Sequence, residues 1–154
     1  YPSFRVTAYD KDGKILGSEE RVLSLLYPNH IMVDEGTLIK MSEEPDKIEV
    51  TMLEPDDYKI KDVSTLEHPQ YNEMKCQNIS VNSDKVTGEV YNPNDYKMEQ
   101  AKITIVFRDD NNKIINSEST FVDNIPANGK VPFDISLPSD AKVTDKIEAT
   151  ACIW

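Results

Sequence analysis

Ile103-Thr104-Ile105-Val106-Phe107-Arg108-Asp109-Asp110-Asn111-Asn112-Lys113-Ile114 reads as strand, turn, strand. Ile103, Ile105 and Phe107 alternate with Thr104, Val106 and Arg108, the period-two pattern of a strand with one buried and one wet face. The Asp-Asp-Asn-Asn run then ends the strand, because Asn tolerates the left-handed backbone that tight hairpins need. The arrangement recurs 99 residues earlier. Phe4, Val6 and Ala8 alternate, and Asp10-Lys11-Asp12-Gly13-Lys14 follows, with glycine at the strained position. The offset holds without a gap. Ser18-Glu19 falls on Ser117-Glu118, Asn29 on Asn128, Leu38 on Leu137, and Asp46-Lys47-Ile48-Glu49 on Asp145-Lys146-Ile147-Glu148. Residues 4–55 match residues 103–154 at twelve positions. An internal repeat sets the whole fold, so it is read before any single element.

Working outward, the alternation marks further strands. Phe133, Ile135 and Leu137 form one set, Ile147, Ala149, Ala151 and Ile153 another, and Ile48, Val50 and Met52 match the latter in the first copy. Turn formers separate them at Asn92-Pro93-Asn94-Asp95 and Pro126-Ala127-Asn128-Gly129. The second is matched by Tyr27-Pro28-Asn29-His30. Strands are predicted over 3–10, 14–23, 31–40 and 46–53, then over 74–82, 84–92, 101–109, 113–122, 130–137 and 145–153. A short strand at Lys59–Val63 would interrupt the connection. No helical stripe of ten or more residues competes. The expectation is an all-β fold of two small antiparallel β-sandwich units in tandem. The first spans 1–56 and the second 74–154, with 57–73 as a linker carrying Pro69.

Composition bounds the function. The net charge of −11 opposes binding to nucleic acid, whose phosphates need Lys and Arg, and to anionic membrane surfaces. No apolar run approaches the roughly 18 residues of a membrane span, so no direct membrane insertion is expected. Two cysteines, Cys76 and Cys152, are placed on the first and last strands of the second unit. They form a candidate disulfide that would face outward, since Cys152 shares a face with Glu148 and Thr150. Neither lies in a C-x-x-C pair or near His30 or His68, which argues against zinc.

Each chemical constellation has a plainer reading. Asp10-x-Asp12-Gly13 opens like a calcium loop, but glycine stands at loop position 4 and Ile15 follows, which fits a hairpin turn instead. Asp109–Asn112 is a solvated loop tip before it is a weak cation site. His30 occupies a turn position and His68-Pro69 the linker, and no Ser-His-Asp or Cys-His set stands out. Neighbouring acids such as Glu43-Glu44 point to opposite faces or into solvent, and a catalytic pair needs one desolvated carboxyl. No glycine-rich phosphate loop is available. Asn78-Ile79-Ser80 fits the glycosylation sequon by accident of composition. Tyr71, Tyr91 and Tyr96 are candidate contact aromatics, although tyrosine is common on strands. No catalytic residue, cofactor or metal ligand is assigned, and the chain is expected not to be an enzyme.

Several of these segments together resemble the FxLYD domain of bacterial surface proteins. Ile105-Val106-Phe107-Arg108-Asp109 and Val6-Thr7-Ala8-Tyr9-Asp10 fall at its namesake motif. Val86-Thr87-Gly88-Glu89-Val90-Tyr91-Asn92 is similar to the strand before it, and Ile125-Pro126-Ala127-Asn128-Gly129 with Phe133 to the element after it. Neither copy carries both the Phe and the Leu-Tyr of the name, and the first copy lacks the glycine strand. The resemblance implies immunoglobulin-like sandwiches on an exported, often lipid-anchored protein that binds or spaces without chemistry. The partner would be a protein or a polysaccharide. The alternative is a carbohydrate-binding accessory domain of a secreted enzyme. Residues 74–100 supply two strands before the second motif strand, and by the offset their counterparts would precede Tyr1. The first unit is therefore expected to lack strands. The gap would be covered by Lys59–Val63, by the second unit, or by a second chain in a homodimer through residues 1–55.

Overall fold

A computed structural model describes residues 1–34, 41–82 and 84–154. The fold is all-β, with three small antiparallel sheets. Contacts divide the chain into two compact units, one of Tyr1–Leu26 and Gly36–Pro69, the other of Tyr27–Glu35 and Gln70–Trp154.

The described strands of the first unit are β1 (Ser3–Tyr9), β2 (Ile15–Val22) and β3 (Lys47–Met52), in the order β2–β1–β3. Arg5 and Glu20 pair across β1 and β2. The β1–β2 turn closes on Asp10. Its backbone N–H donates to the Lys14 carbonyl at 2.9 Å, and its carboxylate accepts from the N–H groups of Asp12 and Lys14 at 2.9 and 2.8 Å. Gly13 takes the left-handed conformation at φ +80°, the reason for a glycine there.

The second unit holds β4 (Lys75–Val81), β5 (Lys85–Tyr91), β6 (Met98–Arg108), β7 (Ile114–Ile125), β8 (Lys130–Ser136) and β9 (Ile147–Ile153). They form two sheets, β4–β5–β8 and β7–β6–β9. Val86, Gly88 and Val90 alternate inward from the first sheet, with Phe133 and Ile135 beside them. Ile103, Ile105 and Phe107 alternate inward from β6, all fully buried. These residues join Met98, Val122, Ile125 and Leu137 in one core, so the unit is a sandwich. Burying each large apolar side chain stabilises by about 1.5–3 kcal/mol, which is why both sheets put their apolar rows on one side.

The two sheets β2–β1–β3 and β7–β6–β9 agree in order and, at the 99-residue offset, in register. Phe4 faces Arg21 and Met52, as Ile103 faces Thr120 and Ala151. The irregularity at Ala8/Tyr9 falls on that at Phe107/Arg108. Asp109 repeats the Asp10 turn, accepting from the N–H groups of Asn111 and Lys113, both at 2.9 Å, with Asn112 left-handed at φ 65° where Gly13 stood.

Two expected strands differ. Residues 31–34 are not in a strand, and 35–40 lie outside the described residues. Lys59–Val63 is not a strand either. Lys59 ends one 3-10 turn (Asp57–Lys59) and Val63 opens another (Val63–Thr65). The cause is local: the Asp62 carboxylate accepts from the Ser64 N–H at 2.9 Å and its hydroxyl at 2.7 Å, and Asp56 pairs with Lys59 at 3.0 Å. Aspartate that binds nearby backbone favours turns over a ladder.

Gly88 is set by packing. A Cβ there would stand 2.7 Å from Ile79 Cδ1 and 2.7 Å from Phe133 Cζ. Gly88→Ala is expected to cost about 1–3 kcal/mol through overpacking, read as a lower denaturant midpoint with unchanged far-UV circular dichroism.

Candidate functional site

The second unit carries two adjoining shallow pockets of mixed polar and apolar lining, together a groove on the side where β4 and β9 are the sheet edges. Its floor is built by residues 71–76, with Asn29–Ile31 along one side and residues 148–151 of β9 along the other. The wider part, beside Met74, Cys76 and Thr150, encloses about 520 Å³. Residues 27–30 form a turn in which the His30 N–H donates to the Tyr27 carbonyl at 3.2 Å, with Asn29 at φ 63°. Gly129 and Pro126 make the matching bond at 3.1 Å, with Asn128 at φ 48°.

Three rings gather at one end. Tyr27 packs on Tyr71 at 5.0 Å between centroids, and His30 on Tyr71 at 5.3 Å. Such ring pairs add about 0.5–1.5 kcal/mol beyond the area they bury. Burial pushes the Tyr71 hydroxyl up to about 12, so the phenol stays neutral, and it accepts from the Met74 N–H at 3.3 Å. Nδ1 of His30 lies 3.0 Å from the Pro28 carbonyl. Ile31 is tied to the floor by its N–H, which donates to Glu73 at 3.4 Å. Outside the groove lining, Asp34 meets the almost wholly buried Lys102 ammonium at 2.6 Å.

The floor is fixed by two buried amides. Asn94 accepts from the Asn72 N–H at 2.8 Å and donates to the Asn72 carbonyl at 2.9 Å. Asn92 in turn accepts from the Asn94 backbone at 3.0 Å and side chain at 2.9 Å, and donates to the Tyr96 carbonyl at 2.8 Å and the Pro126 carbonyl at 3.2 Å. Tyr96 closes the set with its hydroxyl on the Gln70 carbonyl at 3.2 Å. A satisfied buried network of this kind is rigid, and breaking one member leaves the others unpaired at a cost.

The cysteines sit on different faces. Cys76 stands opposite Val90 and faces the core, while Cys152 stands opposite Lys102, on the face away from Ile103 and Ile105. Both are free thiols. The outward orientation expected for the pair therefore holds for Cys152 alone. The orientation of Cys152 does not carry over to Cys76, whose own register sets it opposite the buried Val90; beyond it lies an irregularity between Gln77 and Ser80, where Asn78 takes φ 54°. One inserted residue lets Cys76, Ile79 and Val81 all pack against the core. Burial pushes the Cys76 thiol up to about 12 and raises that of Cys152.

The remaining sequence candidates are dispersed. Asn78 donates to Glu89 at 2.6 Å, and Lys130 reaches the same carboxylate at 2.7 Å. These two neighbours, Lys130 foremost, lower the Glu89 pKa. His68 is in the first unit and His30 in the second. Tyr71 and Tyr96 belong to the groove and its support, whereas Tyr91 pairs with Lys75 and Lys130 on the ladder. Among the described residues no cluster of His, Cys, Asp and Glu could hold a metal ion, and no helix is long and apolar enough to cross a membrane. Sequence reading missed Tyr27, Asp34 and Lys102. Only the match of the 27–30 turn to 126–129 pointed toward them. No family model, no curated protein and no solved structure matches the chain.

Two outcomes are expected. Asn94→Ala should lower stability by about 2–3 kcal/mol, as buried partners lose their hydrogen bonds, measured by chemical denaturation. Without reductant the native protein should alkylate slowly at Cys76 at pH 8, because the thiolate is the nucleophile and burial suppresses it. The unfolded chain should show two reactive thiols. Above pH 9, burial of Cys76 as a neutral thiol should subtract from stability, increasingly up to its folded pKa near 12.

Proposed function

We propose that the chain is a non-catalytic binding and spacer module of an extracytoplasmic bacterial surface protein, lipid-anchored in its full-length form. Its units would be immunoglobulin-like repeats of the FxLYD type, and its ligand an extended protein segment or polysaccharide. The observation that carries this reading is the groove beside β9. It joins residues 148–151 of β9, an edge strand among the described residues, to Tyr71, His30 and the amides of Asn29 and Asn72. An edge strand offers main-chain donors and acceptors to an extended partner. Rings, amides and Glu73 suit a hydroxyl-rich one. The FxLYD reading rests on the sequence motifs. Val86, Gly88 and Val90 face the core, and Asn92 ends that strand in the buried amide set.

A carbohydrate-binding accessory role draws on the same rings. The two are separated by titrating the labelled protein with cell-wall glycan fragments and with extended peptides. Amide shifts confined to residues 29–31, 71–76 and 148–151 are expected with one ligand class, and Tyr71→Ala should abolish them. Saturating shifts elsewhere, or none with either class, would reject the groove as the binding surface.

A further inference from the structure

On the first unit, one face of β2–β1–β3 carries Phe4, Val6 and Ala8 on β1, with Ile48, Val50 and Met52 opposite them on β3. In the second unit the matching face is the inner one: Ile103, Ile105 and Phe107 are fully buried, and Ile147, Ala149 and Ala151 pack against the core. In the first unit the β3 residues are open to solvent, Ile48 60%, Val50 63% and Met52 65% exposed, while on β1 Phe4 and Val6 are half-buried and Ala8 is already fully buried, so the open part of the face is its Phe4–Val6 and β3 side. Three adjacent large aliphatic residues on one strand face are a contact surface rather than scattered surface apolarity. Val50 and Met52 are larger than their counterparts Ala149 and Ala151, so on β3 the exposed row is bulkier than the row it matches.

We propose that this face is covered by the same face of a second copy of the chain, giving a two-fold dimer through residues 1–55. Three features select the second copy. The matching sheet of the second unit is covered by a three-stranded antiparallel sheet, β4–β5–β8, and β2–β1–β3 is itself one, so two copies restore three strands on three. The face is also self-complementary in charge. Glu19 and Arg21 on β2 stand on it, opposite Val6 and Phe4. A two-fold axis perpendicular to the strands, crossing between those two rows, sets Arg21 against the partner copy's Glu19. The same operation sets Val50 against Met52 and Val6 against Phe4, the reciprocal pairing of an isologous interface. The size fits a reversible contact. Three strands about 4.8 Å apart and seven residues of about 3.3 Å cover roughly 14 by 23 Å. That is about 320 Å² in projection, below the roughly 800 Å² per partner of a standard interface. The dimer is weak, and the net charge of −11 on each chain opposes it, so salt strengthens it by screening.

The test is sedimentation equilibrium of the full chain from micromolar to near-millimolar concentration, at low and high salt. A monomer–dimer equilibrium that tightens with salt is expected. Val50→Glu should raise the dissociation constant at least tenfold, because each copy would bring an unpaired charge to the interface. Ile114→Glu, on exposed β7, should leave it unchanged. Glu19→Arg should weaken the dimer and the double variant with Arg21→Glu restore it. Far-UV circular dichroism checks folding, and Met52→Lys replaces Val50→Glu if that variant unfolds. A chain monomeric throughout, whether other residues of a longer protein or a different molecule covers the face, overturns the proposal. So does a dimer indifferent to Val50→Glu and Met52→Lys. The inference does not depend on the groove, and ligand titration at residues 71–76 is read separately.

Discussion

A three-stranded antiparallel sheet has two faces, and an apolar row on one of them needs a second layer. That constraint organises the molecule. In the second unit β4–β5–β8 supplies the layer, and the alternation of Val86, Gly88 and Val90 meets that of Ile103, Ile105 and Phe107. Gly88 is where the layers come too close for a Cβ. In the first unit the same order and register of strands leave Ile48, Val50 and Met52 open. Hydrogen bonding in the two sheets is alike, so what separates them is the burial of one face. Local pairing is therefore specified within each hairpin, whereas the hydrophobic stabilisation of a finished core depends on what meets it.

The strands were legible because period-two alternation and turn residues are local signals. Ser3–Tyr9, Ile15–Val22 and Lys47–Met52 fall inside their expected ranges, and the Asp10 and Asp109 turns follow from side chains that bond their own backbone. What was not legible depends on contacts distant in sequence. Ile31 and Val33 alternate as a strand would, yet Ile31 gives its N–H to Glu73 and Asp34 its carboxylate to Lys102. Lys59–Val63 was read as a short strand, and the Asp62 carboxylate within it bonds the Ser64 backbone and opens a turn instead. Cys76 was assigned to the wrong face because its orientation was inferred from Cys152 on another strand, whereas Cys76 stands opposite the core-facing Val90, and the bulge at Asn78 then brings Ile79 and Val81 to the same side. One extra residue is invisible to a pattern that counts in twos.

The groove illustrates the same limit. Tyr71 and Tyr96 were visible as candidate contact aromatics, and Asn92 and Asn94 as turn formers. Their roles in the fold differ from those labels. Tyr96 holds the Gln70 carbonyl, and the two asparagines bury their amides to fix residues 70–74. Turn propensity explains an Asn at such a site, but the full satisfaction of its donors and acceptors is a tertiary fact. Such a floor is already ordered, so contacts made on it would cost little further ordering entropy.

Residues 27–34 belong with a unit whose other residues begin at Gln70. On the ribosome, then, Tyr27 emerges well before Tyr71, the ring it packs on, and Asp34 long before Lys102. Chains fold largely as they are made, amino-terminal part first, yet this segment has to wait for the second half of the chain. During that interval the Tyr27 ring and the aliphatic row of β3 are exposed together, and the nascent chain offers chaperones two apolar stretches. Vectorial synthesis thus gives the Tyr27 ring a period of exposure that the finished structure, where it is buried, does not display.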